Sequence, residues 1–137
     1  MREEQNVAVY YGQLLVLTMA AAAAGMLAGG MDAIFGIGLK YITEFRKEHT
    51  IWLLPLLPFT GVLLIWLYQK WGGDCKKGMG LVFETHDEKR DEIPLRLLPF
   101  AMGGTWLTHL TGGSVGREGV AVQMGCTISY NIGKRIP

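Results

Sequence analysis

Charged positions along this chain are sorted into blocks, and the long intervals between them are apolar. From 7 to 39 the only charged residue is Asp32, and the intervals 51–69, 97–116 and 119–133 contain none. A bilayer core takes about 20 consecutive apolar residues to cross as a helix. The pattern therefore predicts an all-α, polytopic membrane protein. The first interval reads as one helix over 7–43. At ~1.5 Å per residue it exceeds a ~30 Å hydrocarbon core, so it is expected to tilt or to project from the bilayer. The polar run "EFRKEHT", 44–50, reads as a short hairpin loop. A second span follows over 51–71. Pro55 and Pro58 fall in its first turns, where a missing N–H is tolerated, and Trp52, Trp66, Tyr68 and Trp71 lie toward its ends as an aromatic belt would.

Beyond residue 71 the regularity breaks. The stretch 72–94 holds a glycine-flanked loop, an apolar piece from Met79 to Phe83 that is too short to span, and a charged linker, "HDEKRDE", read as a solvated connector. A third membrane helix is expected over 94–111. After "TGGSVGREG" a fourth apolar helix starts near Glu118 and stops by 133–137. Two glycine-rich breaks thus each open an apolar helix. Non-helical backbone at membrane depth is tolerated where it is buried in protein or lines a watery cavity, and broken helices in transporters aim their N-termini at anionic substrates. The first N–H groups of a helix lack intrahelical partners, and the dipole adds about half a positive charge there. Two converging starts make an anion site without a formal cation. Four apolar segments do not enclose a pathway alone, so residues 1–137 are read as a single membrane domain, the N-terminal portion of a longer polypeptide.

Composition narrows the classes. Only 18% of residues are charged and the net charge is +1, which gives no electrostatic case for nucleic acid. Cys75 and Cys126 lie far apart and form no CxxC pattern. His49, His86 and His109 share no ligand spacing, so neither metal nor cofactor is expected. "MREEQN" is not the positive opening of a signal peptide, although "AAAAAG", 20–25, offers small residues for cleavage. Gly25 and Gly29 form a small-xxx-small pair suited to close helix packing. Asp32 lies near the far end of the first helix and is expected at the membrane interface, with a surface role.

The polar residues inside the apolar intervals carry any chemistry. Glu118 stands where the fourth helix begins, between Gly116 and Gly119. One reading makes it a carboxylate that complements the helix dipole. The other makes it a switch: its carboxylate occupies the N–H cradle as an internal anion, a free anion displaces it, and protonation favours the displacement, so that proton and anion movements are coupled. Arg117 is adjacent in sequence and does not face Glu118 on a helix, so its side chain is assigned a structural ion pair elsewhere. Thr105, Thr108, His109, Gln123, Thr127, Ser129, Tyr130 and Asn131 are read as cross-links between helices. Lys76 and Lys77 precede the first break and read as a charged membrane-edge loop that can also raise the local anion concentration.

"GREG", 116–119, followed by Val120 and then Val122-Gln123, resembles the GREGP-x-VQ signature of the CLC family of anion channels and anion/proton antiporters. "KGMGLV", 77–82, lies where that family has a GSGIP motif, at a similar separation, and Pro94, Leu98, Pro99 and the glycines at 103–104 and 112–113 follow the pattern between. The resemblance is firm over 72–133 and mainly topological before that. It implies the N-terminal part of the CLC inverted-repeat fold, with full, partial and broken helices. It also implies that Glu118 is the gating and proton-coupling glutamate, and that Gly78, Met79 and Gly80 form a first anion-binding loop. Gly116, Arg117, Gly119 and Val120 would flank a second. Met79 stands where the loop usually carries a serine whose hydroxyl holds chloride. That substitution, together with GREGV, resembles the bacterial CLC-F branch of fluoride/proton antiporters. The implied protein is a transporter and not an enzyme, a homodimer in the bacterial inner membrane, exchanging fluoride for protons across the lipid bilayer. Chloride carriage within the same superfamily is the alternative. A phosphate-binding membrane enzyme is remote, because the GK[ST] ending and preceding strand of a P-loop are missing. Val82 and Val120 each replace a family proline, so each restores one backbone N–H, and these donors are expected to help replace the water of a small, strongly hydrated fluoride.

Overall fold

The computed structural model describes residues 2–87 and 92–136, with side chains from Val7 and again from Val9 onward. Five α-helices order the described chain: α1 (Arg2–Leu53), α2 (Leu57–Leu67), α3 (Met79–His86), α4 (Leu97–Leu110) and α5 (Arg117–Gly133). A short 3-10 turn, Leu54–Leu56, joins α1 to α2, and a π-turn (Tyr68–Gly72) and a 3-10 turn (Gly73–Lys77) lead from α2 to α3. The helical run Val9–His86 is long and apolar enough to cross a bilayer.

The expected hairpin loop over 44–50 is instead helical, and the only break is a kink at His49 (φ −120°, ψ 20°). The physical reason is local. This segment contains neither glycine nor proline, and its polar side chains bond back along the helix. Lys47 pairs with Glu44 at 2.9 Å. The His49 ring stacks on Phe45 and sets Nδ1 3.1 Å from the Phe45 carbonyl. Thr50 donates to the Arg46 carbonyl at 2.8 Å, a back-bond of the kind that bends helices. The second span is correspondingly segmented. Pro55 and Pro58 open the 3-10 turn and α2 in turn, the early-turn placement the sequence implies. Residues 88–91 of the charged connector lie outside the described residues. Glu92 at its edge pairs with Lys134 at 2.7 Å.

Two small cores position the site. Phe35 and Leu39 of α1, Ala101 and Met102 of α4, and Val120 and Met124 of α5 form one. Cys75, Leu81, Ile93 and Leu97 form the other, with Tyr68 and Tyr130 packed against it. Among the described residues four side chains stitch separate segments through backbone carbonyls: Tyr68 OH donates to Phe100 O (2.9 Å), Trp106 Nε1 to Phe35 O (3.1 Å), Asn131 Nδ2 to Ile93 O (3.0 Å) and, at the limit of hydrogen-bond length, Arg46 Nη1 to His109 O (3.5 Å). Such bonds are worth about 1 kcal/mol each. Asn131 therefore cross-links as expected. The threonines do not: Thr105, Thr108 and Thr127 donate to carbonyls four residues back in their own helices. Their hydroxyls find an acceptor one turn back in the same helix, so no neighbouring helix is needed.

Much of α1 and α2 presents large apolar side chains outward, Ile51 and Trp52 being at least 80% exposed. The Gly25 and Gly29 face has no neighbour within 4 Å of where a β-carbon would stand.

Candidate functional site

The two glycine-rich breaks both end in helix starts. Gly78 caps α3 with φ 51° and ψ −121°, a left-handed backbone that favours glycine. Its own N–H donates to Cys75 O at 3.0 Å. The amides left without an intrahelical acceptor by the geometry of a first turn are those of Met79 and Gly80. Met79 is half-buried and Gly80 exposed. At the second break α4 ends in a tight turn: the Gly113 N–H bonds Thr108 O at 2.9 Å, and Gly112 takes φ 96°. A β-carbon on Gly113 would fall 2.5 Å from Thr108 Cγ2. Gly116 then caps α5 in an extended conformation (φ −61°, ψ 124°). Arg117, Glu118 and Gly119 occupy the first turn, where backbone amides are open.

Val82 and Val120 each stand at the fourth helical position of α3 and α5. An N–H there pairs with the carbonyl of the cap residue, Gly78 or Gly116. The donor restored by losing each proline therefore closes the first helical turn and does not reach toward an anion. Val120 is also buried, in the core of α1, α4 and α5.

Two cavities separate the predicted residues. One, of about 340 Å³, brings Gly78 together with Val120 and Gln123 of α5, Thr105 and Thr108 of α4, Tyr68 and Lys76. The other, of about 450 Å³, lies between α1 and the start of α5, lined by Asp32, Phe35, Gly36, Gly116, Arg117, Glu118 and Ala121. Asp32 thus faces the same space as Glu118, which its place in the sequence did not indicate. Glu118 is exposed within these 137 residues. Arg117 makes no ion pair among the described residues, contrary to the structural pair expected of it. Its side chain sits at the wall shared with a third cavity lined by Lys40, Glu44 and His109. Lys77 is committed to Glu84 at 2.7 Å, so of the two lysines only Lys76 lines the cavity at Gly78. Among the described residues no cluster of three or more His, Cys, Asp or Glu side chains is placed to hold a metal.

The sequence reads Gln123 as a helix cross-link and part of the signature, not as a site residue. Its Nε2 lies 3.7 Å from the point where a β-carbon on Gly78 would stand, so it joins the two breaks. The signal available was its place three residues after Val120 on the same helix as Glu118, and only the packing of α5 on the Gly78 turn gives that place meaning.

Among the described residues the fold is all-helical, with two glycine-capped helix starts that each border a cavity. Residues 60–137 match the family model described as voltage gated chloride channel, and the chain belongs to that family, the CLC proteins. It is 38% identical over 124 residues to a chloride/fluoride channel protein of Pseudomonas syringae pv. tomato (strain ATCC BAA-871 / DC3000), covering 90% of this chain and 26% of that protein. It superimposes with a TM-score of 0.87 and 46% identity on the crystal structure of a CLC-type fluoride/proton antiporter, covering 92% of this chain and 32% of that one. The chain spans about a third or less of the length of these relatives.

Proposed function

We propose that these residues form the N-terminal portion of a fluoride/proton antiporter that acts as a homodimer in the bacterial inner membrane and exports fluoride. The observation that carries this reading is the pairing of Met79 with the Glu118 helix start. The first break offers amides but no hydroxyl beside them, and the second presents a carboxylate at an amide cradle. A chloride site of the serine type lacks its side-chain donor here. The 46% identity to a fluoride/proton antiporter supports the same choice. In this reading the Met79, Gly80, Gly119 and Glu118 amides face the anion, Gly78 and Gly116 shape the two turns, and Val120 anchors α5. Arg117 raises the local anion concentration at the cavity shared by Asp32 and Glu118. The Glu118 carboxylate competes with fluoride for the cradle and leaves it on protonation, which couples the two ions.

Chloride carriage is the second reading, favoured by the name of the Pseudomonas relative, which mentions both halides. Efflux of fluoride and chloride from proteoliposomes holding the full-length transporter separates them. Fluoride leaving far faster than chloride is expected, and equal rates overturn the fluoride assignment.

A further inference from the structure

The cavity at Gly78 has a mostly apolar lining with five polar side chains, Tyr68, Lys76, Thr105, Thr108 and Gln123, and the three hydroxyls among them already have acceptors. The Thr105 hydroxyl donates to Ala101 O at 2.8 Å and that of Thr108 to Gly104 O at 2.7 Å. The Tyr68 hydroxyl donates to Phe100 O at 2.9 Å. The Gly78 N–H donates to Cys75 O. Met79, at the head of α3, has a thioether and no donor. Among the described residues that line this cavity, two side chains retain uncommitted N–H donors: the exposed Lys76 ammonium and the amide of Gln123. Gln123 is half-buried and makes no side-chain hydrogen bond among the described residues, and its Nε2 lies against the Gly78 turn. A half-buried amide with both protons free, beside a turn whose next two backbone amides are open, is arranged to meet an acceptor that the protein itself does not provide.

We propose that the Gln123 side-chain amide is the donor that takes over, at the mouth of α3, the hydrogen bond Met79 cannot make, and so sets the affinity for a small, strongly hydrated halide. This rests on the fluoride reading above. A hydrogen bond to a charged acceptor is stronger than one between neutral groups, and fluoride loses more on desolvation than chloride. Removing the donor therefore weakens fluoride more than chloride. Gln123 acts on binding and not on proton exchange, since its amide carries no titratable proton and the proposed coupling rests on the Glu118 carboxylate.

The test uses the full-length transporter in proteoliposomes, with wild type, Gln123→Met and Gln123→Glu. Gln123→Met keeps length and loses the donors. Its KM for fluoride is expected to rise roughly tenfold, by the worth of one charge-assisted bond, with the fluoride-to-proton ratio unchanged. Gln123→Glu keeps size and replaces donors with acceptors while ionised. Its KM is expected to rise further near neutral pH and to recover as pH falls and the protonated acid regains an O–H, a pH profile that a packing role does not produce. Wild-type fluoride transport with an unaltered KM in Gln123→Met, or a Gln123→Glu KM that ignores pH, overturns this proposal alone. Wild type that carries chloride as readily as fluoride overturns the underlying reading as well.

Discussion

At the residue scale, the proposed function divides the labour between Met79, for selectivity, and Glu118, for coupling. Met79 is half-buried at the first open turn of α3. Returning a hydroxyl there supplies a donor suited to chloride, so Met79→Ser is expected to move the fluoride-to-chloride flux ratio toward chloride by roughly tenfold, the worth of one charge-assisted hydrogen bond. Parallel halide efflux measurements check it, and an unchanged ratio returns Met79 to the role of gap-filling side chain. Glu118 and the glycines at 78, 80, 116 and 119 were legible from sequence because their chemistry depends on local order: a cap, a first turn, a carboxylate beside it. Gln123 and Asp32 were not. What makes each of them relevant is a neighbour far away in the chain, Gly78 for one and Glu118 for the other, and no local pattern encodes that meeting. The threonines were misread for the opposite reason, since an acceptor one turn back in the same helix satisfies each hydroxyl before a second helix is needed.

At the scale of elements, the starts of α3 and α5 are built alike, a glycine cap followed by a valine at the fourth helical position. The Val120 N–H closes the first turn onto Gly116 O, and its side chain packs with Phe35 and Met124. Val120→Pro deletes that bond and brings the ring against the Gly116 carbonyl. The expected outcome is a lower thermal midpoint with the fluoride KM moved by no more than about twofold, well below the effect of a lost anion donor. A raised KM at undiminished stability would restore the valine amide as a direct anion donor. The approach of α1 to α4 rests on Gly38, where a β-carbon would come 2.6 Å from Trp106 Cζ2. The Trp106 ring cannot retreat freely, because it stacks on Phe35 and donates to Phe35 O. Gly38→Ala is expected to cost about 1–3 kcal/mol through overpacking. Adding Trp106→Leu should lower the stability by less than the two separate losses sum to, a coupling that thermal unfolding of the four forms reads directly. Strict additivity would show that the contact is not the source of the loss. The helix order was visible in the apolar intervals, while the helical course of 44–50 was not. Polarity suggested a turn there, and the Lys47–Glu44 pair with back-bonding by His49 and Thr50 overrides it.

On the scale of the whole molecule, the described residues would form one wall of the proposed transporter's pathway. Large apolar side chains stand exposed along α1 and α2, and Glu118 faces an open cavity with Asp32 and Arg117. That pattern fits a surface meant for lipid and, in the proposed transporter, for further helices; the relatives are about three to four times as long as these 137 residues. The central claim is that one carboxylate ties fluoride export to proton entry. It is tested most directly by recording proton uptake alongside fluoride efflux from proteoliposomes of the full-length transporter, for wild type and Glu118→Gln. Stoichiometric proton uptake in the wild type, abolished in Glu118→Gln, is the predicted result. Proton uptake that persists in Glu118→Gln, or fluoride efflux in the wild type that moves no protons, would contradict it.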